Sequence, residues 1–319
     1  MYNWSCVISH LTSVGFPLIA QFLLKVHTSL HSRQSLPQFH SKINSKIYLY
    51  LFLRQSLPQK CNIVNMPLNA DRRKRLVKLI PEGVIITRSW LIKQGFNRHA
   101  IDNLVKGDQL KALSNGVYSR TDEPKSWQSV VYALQNILNL DCVVGGLTAL
   151  EIHGLSHYVS MARQKVIHLY STKSLPKWVN QLSSEISFVK HSSREISVDY
   201  TAFTTRREWK ENMPGLLLSI PERAFLEILL DVPENISFEH ADKIMQGLTS
   251  LSPRSLQGLL EKCDNIKVKR LFLWLAERYN YSWLQKLNLE KINLGSGNRV
   301  LFKGGKLDKK YKITVPESL

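Results

Sequence analysis

Apolar positions recur at helical spacing from residue 69 onward. After Asn69, Leu76, Leu79 and Ile80 fall on one face, and Pro81, Glu82 and Gly83 stop that helix. A short extended run, Val84-Ile85-Ile86, precedes Thr87, which is placed to cap a second helix over 88–94 that Gly95 closes. Asn97 caps a third helix ending at Lys106, with Gly107 expected at its C′ position. Ala100, Ile101, Leu104 and Val105 then point inward, and Arg98, His99, Asn103 and Lys106 are left outside. Residues 109–113, the turn Ser114-Asn115-Gly116 and residues 117–120 read as a hairpin, because Asn and Gly tolerate positive φ. Three helices followed by a hairpin is the order of a winged helix-turn-helix.

A second unit begins near Pro124. The pattern predicts a helix over 126–140, a short strand Cys142-Val143-Val144, and a helix over 147–155 entered through Gly145-Gly146. Strands are expected at 166–170, 186–189 and 201–205, then a helix from Ile220 with Pro221 at its first position. Further helices are expected over 238–249, 253–262 and 267–279, and a β-like end at 291–294, 299–303 and 311–315. The reading is an α+β chain: a winged helix-turn-helix over 66–123 and a larger mixed α/β domain over 124–319.

Charge gives the head a function class. The chain of 319 residues carries 43 Lys and Arg against 25 Asp and Glu, a formal net charge of +18. A surplus that large favours a polyanionic partner, nucleic acid first and an anionic membrane surface second. Within 66–120 there are eleven Lys and Arg and four acids, a surplus of seven. Arg98, His99 and Asn103 are the candidates for base edges, since Arg matches guanine and Asn matches adenine. Thr87, Arg88, Lys106, Lys111 and Asn115, with Arg72, Arg73 and Lys74 from the first helix, are the candidates for phosphate contact. Asp102 on the third helix has Arg98 as its expected ion-pair partner.

Residues 1–65 have a different character. They contain six Lys and Arg and no Asp or Glu, and they repeat Arg-Gln-Ser-Leu-Pro-Gln at 33–38 and 54–59. Neither helical nor strand periodicity runs through them, so we read 1–65 as a poorly ordered upstream extension, with synthesis expected to begin at Met66. A genuine basic arm is the alternative. No run reaches the ~18–20 apolar residues of a membrane-spanning helix. Cys6, Cys61, Cys142 and Cys263 lack the short spacing of a zinc site, and a reduced, cytoplasmic setting is expected.

Catalytic candidates are thin. His153 and His157 stand four apart but Gly154 interrupts their helix, so no metal is expected. Gly145-Gly146 has the form of a phosphate cradle or of a nucleotidyltransferase opening, yet no spaced carboxylate pair follows, and a tight strand-to-helix turn explains it better. No cofactor or catalytic residue is expected. Lys267, Lys269, Arg270, Arg299, Lys303 and Lys306 cluster late and are candidates for an exposed binding surface.

Several of these segments resemble one family. Pro81-Glu82-Gly83-Val84, Arg98-His99-Ala100-Ile101-Asp102-Asn103-Leu104-Val105 and Gly116-Val117-Tyr118 are similar to the AbiEi antitoxins of type IV toxin–antitoxin systems. So are Gly145-Gly146-Leu147-Thr148-Ala149-Leu150-Glu151-Ile152-His153-Gly154-Leu155 and Gly304-Gly305-Lys306-Leu307-Asp308-Lys309-Lys310-Tyr311. The likeness runs from about Met66 to Pro316. It implies a DNA-binding head that represses its own operon at promoter repeats. It also implies a C-terminal domain that counters a nucleotidyltransferase-like toxin without a stable complex. Carried over, Arg88, Arg98, His99 and Asn103 serve operator binding and the late basic cluster serves neutralisation. A stand-alone ligand-sensing regulator and a nucleic-acid-processing enzyme with a DNA-binding head are the alternatives.

Overall fold

Backbone caps written into the sequence start most of the helices. The structure is a computed structural model that describes residues 70–121, 126–155, 164–192, 196, 199 and 201–319, with side chains in the first helix from Lys74 onward. The expectations for 1–65 lie outside the described residues. The first elements are α1 (Ala70–Leu79), β1 (Ile86–Thr87), α2 (Arg88–Lys93), α3 (Arg98–Lys106), β2 (Lys111–Ser114) and β3 (Val117–Ser119). Helix, strand, helix, helix, hairpin runs in the order read from the sequence.

The three short strands form one antiparallel sheet in the order β1-β3-β2, with Ile86 opposite Tyr118 and Thr87 opposite Val117. Strand geometry sends successive side chains to opposite faces, and here both faces are buried. Val84, Ile86 and Tyr118 pack with Leu76, Ile80, Leu91, Phe96, Ile101 and Leu104 beneath the helices. Ile85 and Val117 instead join Val130, Leu134, Ile167 and Leu218 of the following region. Residues 63–319 are accordingly one contact unit.

Beyond the hairpin come α4 (Trp127–Tyr132), β4 (Cys142–Val144), α5 (Gly146–Ile152), β5 (Lys165–Ser171), β6 (Ile186–Ser192), β7 (Thr204–Arg207) and β8 (Leu216–Ser219). A mixed five-stranded sheet orders them β6-β5-β4-β8-β7. Four helices follow: α6 (Pro221–Leu230), α7 (Phe238–Gly247), α8 (Pro253–Lys262) and α9 (Ile266–Glu277). A small sheet of β9 (Arg299–Val300), β10 (Lys306–Asp308) and β11 (Ile313–Val315) ends the chain, with β11 central. The fold is α+β, with the larger part C-terminal.

Four expectations need correction. The helix predicted over 126–140 is regular only as far as Tyr132; Ala133–Ile137 is a wide π-helical turn. That turn aims Gln135 at the sheet, where its amide donates to Cys142 O and Leu217 O and accepts from Leu217 N. The strand expected at 201–205 starts later, because 201–203 form a turn with Phe203 at φ +55 and Asp199 accepting from Thr201. Strand β8 was not foreseen: Leu216, Leu217 and Leu218 are buried on both faces beside β4, so they show no alternation. At 291–294 side-chain bonds replace the expected strand. Asn288 caps the short turn Leu289–Lys291, and Asn293 accepts from Gly295 N.

The Gly145-Gly146 turn is closed by an internal carboxylate. Glu227 Oε2 accepts from Gly146 N at 2.9 Å, and Oε1 accepts from Ser219 Oγ at 2.9 Å and Arg223 Nε at 2.8 Å. Arg223 also donates to Ala202 O at 2.7 Å, and both charged side chains are essentially without exposure. A Cβ at Gly145 would stand 2.1 Å from Glu227 Oε2 and 2.5 Å from the Tyr170 ring, so only glycine fits there. The N-terminus of α5 attracts an anion, and the chain supplies its own. Beside it, His191 stacks on Tyr170 and joins Asp231 at 3.2 Å to His168 at 2.9 Å.

Two outcomes follow for stability. Glu227→Ala removes the carboxylate that balances the buried Arg223 guanidinium and is expected to cost about 3–5 kcal/mol; an unchanged urea midpoint would contradict the network's role. His168 is held down from 6.5 to about 4, by burial first and by His191 second. Between those values the unfolded chain takes a proton that the folded chain refuses, so this contribution is complete above pH 6.5 and fades as pH falls towards 4. Urea midpoints across that range should decline on acidification, and His168→Gln should flatten the decline.

Candidate nucleic-acid interface

Side-chain caps fix the two helices of the head at their N-termini. Thr87 Oγ1 accepts from Trp90 N at 3.3 Å to start α2, and Asn97 Oδ1 accepts from Ala100 N at 2.7 Å to start α3. Between them Gly95 takes φ +89 and Phe96 is buried. Ile101 and Leu104 anchor the inner face of α3. Its outer face exposes Arg98, His99, Asp102, Asn103 and Lys106.

Among the described residues, no side chain pairs with Arg98, His99, Asn103 or Lys106. Among the described residues, then, these groups would break no internal bond on meeting a partner. The pairing expected between Asp102 and Arg98 is not observed. Asp102 Oδ1 instead lies 3.5 Å from Arg88 Nη2.

Arg88 is a positioned cation. Its Nε and Nη2 donate to Tyr118 Oη at 2.9 and 2.7 Å, and its guanidinium lies over the Tyr118 ring at 5.9 Å. The bond to Tyr118 is the main cause that raises its pKa, with Asp102 contributing least. Arg88 thus links α2 to β3 and α3, a role invisible in the sequence because Tyr118 stands thirty residues away.

The other candidates divide. Asn115 is exposed at the hairpin tip beside Gly116 at φ +72, and Lys74 is exposed on α1. Lys111 is engaged by Asp108. Positive φ falls at Asp108 and not at Gly107, whose φ is −86, so the helix leaves through the acid that holds Lys111. Thr87 is corrected: it is 7 % exposed and its hydroxyl is occupied by the cap and by Ser89, so it contributes structure only. The side chains of Arg72 and Arg73, and all of His157, lie outside the described residues. His153 Nε2 donates to Ser219 O at 3.0 Å, which uses that ring as a structural tie.

Half of the late basic cluster is interior. Lys269 and Arg270 are 2 % and 1 % exposed, and burial lowers the pKa of each. Arg270 donates to the carbonyls of Leu294, Gly297 and Lys312, clipping the last loop and β11 to α9. Lys267 donates to Leu230 O and Val232 O at the end of α6. Lys269 and Arg270 are too buried to line an exposed surface, and half-buried Lys267 is engaged by carbonyls at the end of a helix. Arg299, Lys303 and Lys306 are exposed. Among the described residues no helix is long and apolar enough to cross a membrane.

None of the curated proteins matches the chain. The RV2827C protein from Mycobacterium tuberculosis, a solved crystal structure, is similar at 17% identity and a TM-score of 0.44, over 78% of this chain and 92% of that one. Residues 69–161 match the family model described as a transcriptional regulator, AbiEi antitoxin N-terminal domain. Residues 164–316 match that of the transcriptional regulator, AbiEi antitoxin, type IV toxin–antitoxin system. With nearly all of 69–316 matched, the chain belongs to the AbiEi family of transcriptional regulators and antitoxins of type IV toxin–antitoxin systems.

Proposed function

We propose that the chain represses its own operon by binding duplex DNA at promoter repeats through a winged helix-turn-helix, and neutralises a nucleotidyltransferase-like toxin through its C-terminal region. The observation that carries the DNA reading is α3: one capped helix presenting Arg98, His99, Asn103 and Lys106 exposed on its outer face. A helix of this kind fits the major groove, where Arg98 and Asn103 have the donors to read base edges. Arg88, Lys106, Lys111 and Lys74, with Arg72 and Arg73, neutralise flanking phosphates and release counterions, and Asn115 donates a hydrogen bond to the backbone. The repressor needs no catalytic group, and the protein acts in the cytoplasm beside its promoter.

The toxin-neutralising half rests on the family. The carboxylate of Glu227 fills the place where a phosphate would meet α5, which favours an antitoxin over a nucleotide-using enzyme in this domain.

Two variants test the DNA reading. Arg98→Ala should weaken operator binding by about 1–3 kcal/mol and relax specificity at one base position. Lys106→Ala should weaken all sequences alike and lower the slope of affinity against salt by about one. Unchanged affinity, specificity and salt slope in both variants would refute the assignment of α3 as the reading helix.

A further inference from the structure

One acid stands among the outward residues of α3. Asp102 lies four positions after Arg98 and four before Lys106, so the three share one exposed stripe of the helix. Its charge opposes the cations beside it, because a carboxylate brought close to phosphates is repelled by them. Arg88 softens this conflict. Its guanidinium is fixed by Tyr118 Oη at 2.9 and 2.7 Å, and it holds Nη2 3.5 Å from Asp102 Oδ1. The counter-charge is already in place, and pairing with it costs little further freedom.

Balanced in charge, Asp102 is still open as an acceptor. Its contact with Arg88 is long for a hydrogen bond, its side chain is 50% exposed, and among the described residues no group donates to Oδ2. A carboxylate that served only as an internal tie would sit tight on its donor, as Glu227 Oε1 does on Arg223 Nε at 2.8 Å. Base edges differ in what they offer such a group in the major groove. Cytosine presents the N4 donor and no acceptor, whereas guanine presents N7 and O6, which repel a carboxylate. Adenine sets an N7 acceptor beside its N6 donor, and thymine presents O4 and a methyl group. An ionised carboxylate on this helix face therefore favours cytosine and disfavours guanine most.

We propose that Asp102 is a specificity-determining residue of the DNA interface, its carboxylate accepting from a cytosine N4 amino group in the major groove and repelling base edges that present acceptors. The inference rests on the reading of α3 above and adds to it an element that acts against wrong sequences. Arg98 and Asn103 raise affinity at the right site, and Asp102 lowers it elsewhere.

The test uses the full-length protein and its variants Asp102→Asn and Asp102→Ala. Each is bound to the protein's own upstream control region, to an unrelated duplex of equal length, and to a pool of control-region duplexes randomised within the repeats, whose bound fraction is sequenced. Thermal unfolding is measured in parallel, and because the side chain is exposed both variants should unfold with the unaltered chain. Both should bind the unrelated duplex about two- to fivefold more tightly at low salt. Selection for cytosine at one operator position should fall about tenfold in Asp102→Ala. In Asp102→Asn the same position should move towards adenine, whose N6 and N7 fit an amide. Tighter binding to every duplex with all base preferences unchanged would overturn the proposal, since Asp102 would then only repel phosphate. Unchanged affinities, or a uniform loss, would also overturn it and leave the acid a tie between α2 and α3. If the unaltered chain does not distinguish its control region from the unrelated duplex, the reading of α3 fails and this inference falls with it.

Discussion

Strands β1 and β3 of the small head sheet are buried on both faces, and the rest of the architecture depends on that constraint. Val84, Ile86 and Tyr118 close the core beneath the helices, while Ile85 and Val117 belong to the core of the following region. One strand thus serves two hydrophobic cores through the two-residue period of extended chain. The head cannot swing without uncovering one of them. Because Tyr118 also holds the Arg88 guanidinium, the same sheet positions a cation next to α3. The geometry of the exposed α3 surface is set by burial on its far side.

Charge is divided according to whether internal acceptors exist for it. In the head, Arg98 and Lys106 stand exposed on the outer face of α3, and among the described residues neither is in an ion pair. In the C-terminal region, Arg223, Lys267 and Arg270 are drawn inward by Glu227 and by carbonyls left open at helix ends and loops. Those cations stabilise the body and are spent on it. The exposed cations of the head face the proposed phosphate backbone.

Much of the head was legible because its signals are local. Thr87, Asn97, Ser126 and Ser252 are caps whose acceptors reach an amide three residues on, and each starts its helix where the sequence placed it. The outward set on α3 followed from the spacing of Ile101 and Leu104. What escaped the sequence is non-local. Strand β8 is recognisable only through β4 beside it, and Arg88 finds Tyr118 across thirty positions. Nothing in the run Lys267 to Arg270 announces that its acceptors are carbonyls 24 to 42 residues away. A count of basic residues therefore overstated the late surface.

The most direct measurement is binding of the unaltered protein to its own upstream control region, compared with unrelated duplex of equal length across a range of ionic strength. The account predicts tighter binding to the control region at every salt concentration, with affinity for both falling linearly on a log–log plot as counterions are released. Equal affinity for the two duplexes, or no binding to either at low salt, would contradict it.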